Sequence, residues 1–378
     1  MITRKDKDII MKFNSQNERI KRVYFTHLQD SRGKAPSSVD QVAAAIAEFE
    51  KSTRFQDFKK FHIEQAKAFK ESLAKVASKA TGKPLAIATK HSRLMHLKAF
   101  FKWLAEKPGY KSRISFSDCE YFNLSANDSR IAQASRERPY PTLEQVHHVL
   151  HSMPTETEFQ KRDRAIIATA LLIGARDDAL ASLSIKHFDF EKRQVFQDAK
   201  EVRTKRGKTM LTDFFPVGGG VEAIVKDWIE YLKTEKLFGS NDPAFPPSER
   251  GLDGNGLFAV TGFRRTHWKN ADPIRKAFKE AFECAGLPYF HPHSVRHTLG
   301  RLAQTKCKTP EEFRAWSVNL GHDNVITTFT SYGSVSPDRQ SAILQEMRVR
   351  EDKGATGTNE PDKDEIARVL AFLQRKAS

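Results

Sequence analysis

Two arginines, two histidines and a tyrosine stand in an order that could open a phosphodiester. They are Arg176 in GARDDALASL, His293 and Arg296 in HPHSVRHT, His322 in LGHDN and Tyr332 in TSYG. Breaking a phosphodiester loads charge onto the non-bridging oxygens. It also needs a deprotonated nucleophile and a protonated leaving group. Arginine suits the first task, because its guanidinium fork binds two phosphate oxygens at once and keeps its charge. His293 and Arg296 are three residues apart, a spacing that on a helix directs both at one spot. The phenol of Tyr332 is a poor nucleophile at its free pKa of about 10. Surrounding cations would favour the phenolate and orient it. A lysine could then protonate the leaving oxygen. Each piece alone is commonplace: an isolated HxxR is usually a surface or capping pair, and a single tyrosine is usually a half-buried aromatic. Their order and spacing together carry the reading of a metal-free, DNA-breaking and DNA-joining enzyme.

The composition agrees with a polyanionic partner. Among 378 residues, 63 Lys and Arg against 47 Asp and Glu leave a formal net charge of +16. Such an excess favours nucleic acid first and an anionic membrane second. No apolar run approaches the ~18–20 residues needed to span a bilayer. The opening MITRKDKDIIMKF lacks the apolar stretch of a secretory signal, so a cytoplasmic location is expected. Cys119, Cys284 and Cys307 are isolated and odd in number, which argues against a disulfide framework or a zinc knuckle. His291, His293 and His297 come without a carboxylate pattern such as HExxH. Gly218 to Gly220 lacks the GK[ST] ending of a phosphate loop. No cofactor and no metal are therefore expected.

The elements that must position the reacting groups are mostly helical. Residues 1–35 read as a polar extension with a helical patch in NERIKRVYFTHLQD, closed by Gly33 and Pro36. Helices follow in VDQVAAAIAEFEKST, with Ser38 or Asp40 as cap, and in IEQAKAFKESLAKVAS. The next, LAIATKHSRLMHLKAFFKWLAEK, sets Ile87, Leu94, Leu97, Phe101 and Leu104 at helical spacing. Lys90, Arg93, Lys98 and Lys102 lie among them. A solvated amphipathic helix is the commoner meaning of such a pattern, but the local lysine excess points to a DNA-facing surface. PGYKSRISFSDCEYFNL looks irregular. Residues 126–141 read as a linker, polar and closed by two prolines. A second domain opens at Thr142, and Asp163 to Leu172 forms a buried helix just ahead of Arg176. RQVFQDAK and TMLTDFFPV then pair as a hairpin around EVRTKRG. After the helix VEAIVKDWIEYLKTEK comes a Gly/Pro/Asn-rich loop, SNDPAFPPSERGLDGNG, then PIRKAFKEAFECAG and the HPHSVRHT helix. The fold class is mainly α with a small β-sheet or hairpin. A helical DNA-binding domain spans 36–125, an α+β catalytic domain spans 142–347, and a tail with a short helix spans 348–378.

These boxes resemble the tyrosine recombinase (phage integrase) family. GARDDALASL looks like its first box, giving Arg176. HPHSVRH looks like its second, giving His293 and Arg296. LGHDNVITTFTSYG looks like the end of that box and the nucleophile, giving His322 and Tyr332. KEVRTKRGKT sits where the family carries its catalytic lysine on a hairpin. Lys205 matches the pattern best, and Lys200 and Lys208 remain open. The likeness covers about residues 140 to 345 by motif, and the core-binding helices by architecture. Three departures stand out. The acidic residue the family often has three after its arginine is Ala179 here, behind Asp177 and Asp178. The hairpin is longer than usual. The His322 to Tyr332 gap is one residue longer than is common.

The resemblance implies strand exchange through a 3′-phosphotyrosyl link that conserves the bond energy, so neither ATP nor a metal is required. It implies double-stranded DNA with specific recombination sites, integration or excision of a mobile element, and a homo-tetramer on DNA. Accessory or sister recombinases are possible partners, and a membrane is not. PDRQSAILQEM or the last helix would dock on a neighbouring subunit. A type IB topoisomerase or telomere resolvase shares this chemistry, but the HxxR…LGH…Y layout and the modest length favour a recombinase. A catalytically silent DNA-binding relative is disfavoured because every expected residue is present. A basic membrane-surface protein would leave the constellation unexplained.

Overall fold

The structure, a computed structural model, describes residues 13–77, 82–134, 139–252 and 257–322, with residue 345 beyond them. The chain divides into two compact units, Met1–Ser135 and Arg136–Ser378.

The first unit is helical: α1 (Ser15–Thr26), α2 (Pro36–Ser52), α3 (Ile63–Lys75), α4 (Ile87–Ala105), α5 (Phe116–Cys119) and α6 (Ala126–Gln133). Its core is aromatic. Phe49 meets Phe69 and Phe101 edge-on at 5.4 and 5.2 Å, and Phe61 stacks on Phe101 at 4.1 Å. Offset and edge-to-face rings satisfy the quadrupole while burying large areas. Three expectations change here. α1 belongs to this unit and is no loose extension, because Tyr24 and the following Leu28 enter the core. α2 begins at Pro36, with Ala35 before it, so Ser38 and Asp40 lie inside the helix and cap nothing. Proline's fixed φ and missing N–H suit the first helical position. The segment read as a linker contains α6, which lies against α4 and starts where the Ser125 hydroxyl accepts the Asp128 N–H at 3.0 Å. No side chain of α6 is fully buried, so no apolar stripe announced it.

The second unit opens with two helices whose starts are set by reciprocal caps: Thr142 with Gln145 for α7 (Leu143–Ser152), and Thr157 with Gln160 for α8 (Glu158–Ile173). Each box satisfies backbone N–H groups that the first turn leaves without partners. α8 is buried without a break from Ala165 to Ile173 and forms the centre of the core. The short α9 (Asp177–Leu180) follows. The antiparallel strands β1 (Phe188–Asp189), β2 (Gln194–Gln197) and β3 (Met210–Asp213) come next, with Val195 opposite Thr212 and Gln197 opposite Met210. α10 (Val221–Thr234) packs on α8. The Gly/Pro-rich stretch, where the sequence suggested a loop, contains β4 (Ser248–Leu252), which forms an antiparallel ribbon with β5 (Phe258–Phe263) just beyond that stretch. Its exposed Leu252 and Val260 and polar neighbours give no half-buried alternation to detect. α11 (Asp272–Cys284), α12 (Ser294–Lys306) and α13 (Pro310–Asn319) complete the unit. α13 went unread in the sequence because it buries only Phe313 and Ser317, although Thr309 and Glu312 cap it reciprocally. The protein is thus mostly helical, with small antiparallel sheets. Among the described residues, no helix is long and apolar enough to cross a membrane.

Candidate active site

Arg176 is delivered by the end of the most buried helix in the molecule's second unit. α8 stops at Gly174, whose φ of 58° is left-handed. A Cβ there would come within 2.9 Å of Leu320 Cδ2 and 3.0 Å of Leu299 Cδ1. Glycine is therefore required twice, for its backbone and for the close approach. Gly174→Ala is expected to destabilise the fold by about 2–4 kcal/mol, combining left-handed strain with overpacking. Denaturant unfolding measures this. The extended backbone of Arg176 (φ −75°, ψ 152°) then starts α9. The two carboxylates that follow fix this turn: Asp177 Oδ2 accepts from Arg275 Nε at 2.7 Å, and Asp178 Oδ1 from Arg203 Nε at 2.8 Å. Sequence reasoning noted both acids but not their partners, since Arg275 and Arg203 are distant in sequence.

Arg296 lies in the first turn of α12 and is only 2% exposed. Its Nη1 donates to the Gly174 carbonyl and its Nη2 to the Leu320 carbonyl. Nη2 also lies 3.3 Å from His322 Nε2. One guanidinium thus ties together the end of α8, the end of α13 and the following histidine. Its Nε is buried without a hydrogen-bond partner, an unusual state for a charged donor.

His322 is brought to this point by Leu320 and Gly321. Leu320 is fully buried. Gly321 turns left-handed (φ 74°), and a Cβ on it would come within 2.7 Å of Met210 Cε. This is the physical content of the LGH tripeptide: an anchor, a turn only glycine tolerates, and an imidazole turned inward.

Arg176, Arg296 and Lys205 line one small cleft with Gly174, Thr204 and Met210. Lys205 sits on an exposed turn (Lys205–Gly207) in the β2–β3 connection. Of the other candidate lysines, Lys208 reaches the Gly321 carbonyl at 3.4 Å, and Lys200 is exposed on the same connection. Neither lines the cleft. His293 stands at the head of α12, half-buried. Burial first, then the charges of Arg296, His297, Arg176 and His291, push its imidazole down from 6.5 to about 4. It is neutral near pH 7 and able to accept a proton. The unfolded chain takes up this proton near 6.5 and the folded chain near 4, so stability falls as pH drops through that window. A histidine NMR titration should find His293 near 4 in the free protein, and higher when a phosphodiester offsets its cationic surroundings.

Residues 141–338 match the phage integrase family. The chain belongs to the phage integrase family. A curated relative of this integrase-family chain, tyrosine recombinase XerC of Shewanella amazonensis, is 30% identical over 184 residues, 48% of this chain and 52% of that protein. The match thus spans about half of that relative's length. XerC of Lactobacillus leichmannii is 24% identical over 256 residues, 66% of this chain and 73% of its own. A lambda integrase dimer bound to a COC′ core site shares the fold at a TM-score of 0.58 and 12% identity, over 85% of this chain and 96% of that one. The Tn1549 transposon integrase in complex with transposon right end DNA gives 0.53 and 15%, over 87% and 99%.

Tyr332 lies outside the described residues, as does the stretch that joins it to His322. The basic residues of α4 are largely engaged within their own unit. Arg93 Nη1 lies 2.7 Å from Glu48 Oε2, close in distance but not aligned as a hydrogen bond. Lys98 and Lys102 reach Glu120 at 2.7 and 2.6 Å. Hydrogen bonds from Lys102 first and then Lys98 hold that carboxyl down to about 2. Among the described residues, Lys90 has no such carboxylate partner. A phosphate meeting this helix would compete with Glu120 for two of its lysines.

Proposed function

We propose that this chain is a site-specific DNA recombinase of the integrase or excisionase type, working through a 3′-phosphotyrosyl intermediate. The observation that carries this is the convergence of Arg176, Arg296 and Lys205 on one cleft, with His322 against Arg296 and a neutral His293 at the head of the same helix. Arg176 and Arg296 grip the scissile phosphate and stabilise the charge that builds on its oxygens. Tyr332 Oη attacks phosphorus, and its phenolic proton passes to His293. The O–P bond forms as the P–O5′ bond breaks. Lys205 gives a proton to O5′, which leaves as a hydroxyl. The 5′-hydroxyl of a partner strand reverses each transfer, so the phosphodiester count is conserved.

Double-stranded DNA is the substrate in this reading, supported by the +16 charge and by the likeness to integrases solved on DNA. Assembly of several copies on paired sites, as a tetramer and with or without sister recombinases, follows from the need to exchange strands between two duplexes. Such an enzyme works in the cytoplasm.

The test is covalent trapping. Nicked duplexes taken from the DNA flanking the gene let the cleaved end diffuse away, so a phosphotyrosyl adduct accumulates. A gel-shifted species that survives denaturation is expected. Salt-sensitive binding without any adduct would instead support a DNA-binding protein that has kept the shape of an enzyme.

A further inference from the structure

The turn that carries Lys205 is fastened to the turn that carries Arg176 by an ion pair and a backbone hydrogen bond. Asp178 stands two residues after Arg176, and Arg203 two residues before Lys205. Arg203 Nε donates to Asp178 Oδ1 at 2.8 Å. The backbone N–H of Arg203 donates to Ser182 Oγ at 2.9 Å, and that hydroxyl is shared between the carbonyls of Asp178 and Ala179 at 3.0 and 3.1 Å. The side chains of Asp178 and Arg203 are 51% and 36% exposed. A pair in such solvent contact adds little to folding, so its consequence lies in geometry.

Beyond this point the chain forms an exposed turn, after which Lys208 Nζ reaches the Gly321 carbonyl at 3.4 Å. Lys205, Arg206 and Gly207 are exposed, and Arg206 and Gly207 are both left-handed, each with φ 62°. A second anchor, Glu201, accepts from Lys186 Nζ at 2.8 Å and pairs with His187 Nε2 at 3.0 Å, but it stands four residues from Lys205. Among the described residues, the Asp178–Arg203 pair is closer in sequence to Lys205 than the Lys186–Glu201 pair. Three residues after Arg176 stands the buried Ala179, and Asp178, one position earlier, faces the lysine turn.

We propose that Asp178 and Arg203 are positioning residues, whose ion pair sets the Lys205 ammonium at the distance from the Arg176 clamp that proton delivery to the leaving 5′-oxygen requires. This rests on the recombinase reading above. In this reading the pair acts through Lys205 and takes no part in the attack on phosphorus. It governs only how readily Lys205 gives its proton to O5′ as the P–O5′ bond breaks.

The test separates proton delivery from every other step. Once the scissile phosphate has been mapped with the unaltered full-length chain, two nicked duplexes are compared. One carries the ordinary bridging 5′-oxygen at that phosphate, and the other carries sulfur in its place. A thiolate leaves without a proton, so a defect confined to proton delivery disappears on sulfur. Asp178→Asn and Arg203→Gln are each expected to slow adduct formation about 10- to 100-fold on the oxygen substrate, part of what a general acid contributes. Both should stay close to the unaltered rate on sulfur. Lys205→Ala should show the same pattern more strongly, and Arg176→Ala should slow both substrates. Equal slowing of the Asp178 and Arg203 variants on both substrates would overturn the proposal, because misfolding or a disturbed arginine clamp would act on both. Unchanged rates on oxygen would overturn it as well. Failure of the unaltered chain to form an adduct with either duplex would overturn the recombinase reading, and this inference with it.

Discussion

Tyr332→Phe is expected to abolish the covalent adduct while leaving DNA affinity nearly intact. The substitution removes one oxygen, the atom that would form the bond to phosphorus, and keeps the ring. DNA affinity in a protein of net charge +16 comes mainly from phosphate contacts by cations, and a phenol supplies none. Loss of a covalent nucleophile removes a rate factor on the order of 10⁶, far below the detection limit of a gel assay. The paired measurement is trapping on a nicked duplex beside a binding titration at fixed salt. Adduct persisting in the variant would move the nucleophile to another residue. Binding that collapses together with cleavage would show that the tyrosine holds the fold or the DNA instead of attacking it.

The arginines form the second large prediction, and the structure makes them unequal. Arg176→Ala is expected to cost about 3–4 kcal/mol of transition-state stabilisation, as for one oxyanion contact in a dry site. Its side chain is half-buried at the head of a short helix, so the fold should survive. Arg296→Ala should lose a comparable part of the rate and also destabilise the protein. Its guanidinium is buried, and its removal leaves the Gly174 and Leu320 carbonyls without their donor. Each buried group so orphaned costs about 1–3 kcal/mol. Single-turnover cleavage and denaturant unfolding, run on both variants, separate the two contributions. Wild-type cleavage in Arg176→Ala would show that the clamp has been assigned to the wrong residue. Unchanged stability in Arg296→Ala would contradict the bridging role of that guanidinium.

Much of this was legible in the sequence because local chemistry sets it. Gly174 and Gly321 mark turns that other residues resist, and each stands beside a reacting residue in a short motif. RQVFQDAK and TMLTDFFPV, two short runs around a polar turn, contain the paired strands β2 and β3, with Lys200, Lys205 and Lys208 in the connection between them. α8 is apolar on every side in its second half, and it is buried on every side. The elements that escaped were those without a buried stripe: α6, α13 and the exposed β4–β5 ribbon.

The sequence by itself determined which residue types could do the chemistry, and in what order, since side-chain charge, acidity and nucleophilicity belong to the residue. Only the tertiary structure decided how they work together. It drew Gly174, Arg296 and Leu320 into one buried bridge across 122 and 24 residues of chain. It turned three of the four basic residues of α4 toward Glu48 and Glu120. It lowered the proton affinity of His293 by burying it among cations. It also set Lys205, and not Lys200 or Lys208, along the cleft. These outcomes depend on distances between groups far apart in sequence and on how much water packing leaves around them. Neither quantity is a property of any single residue.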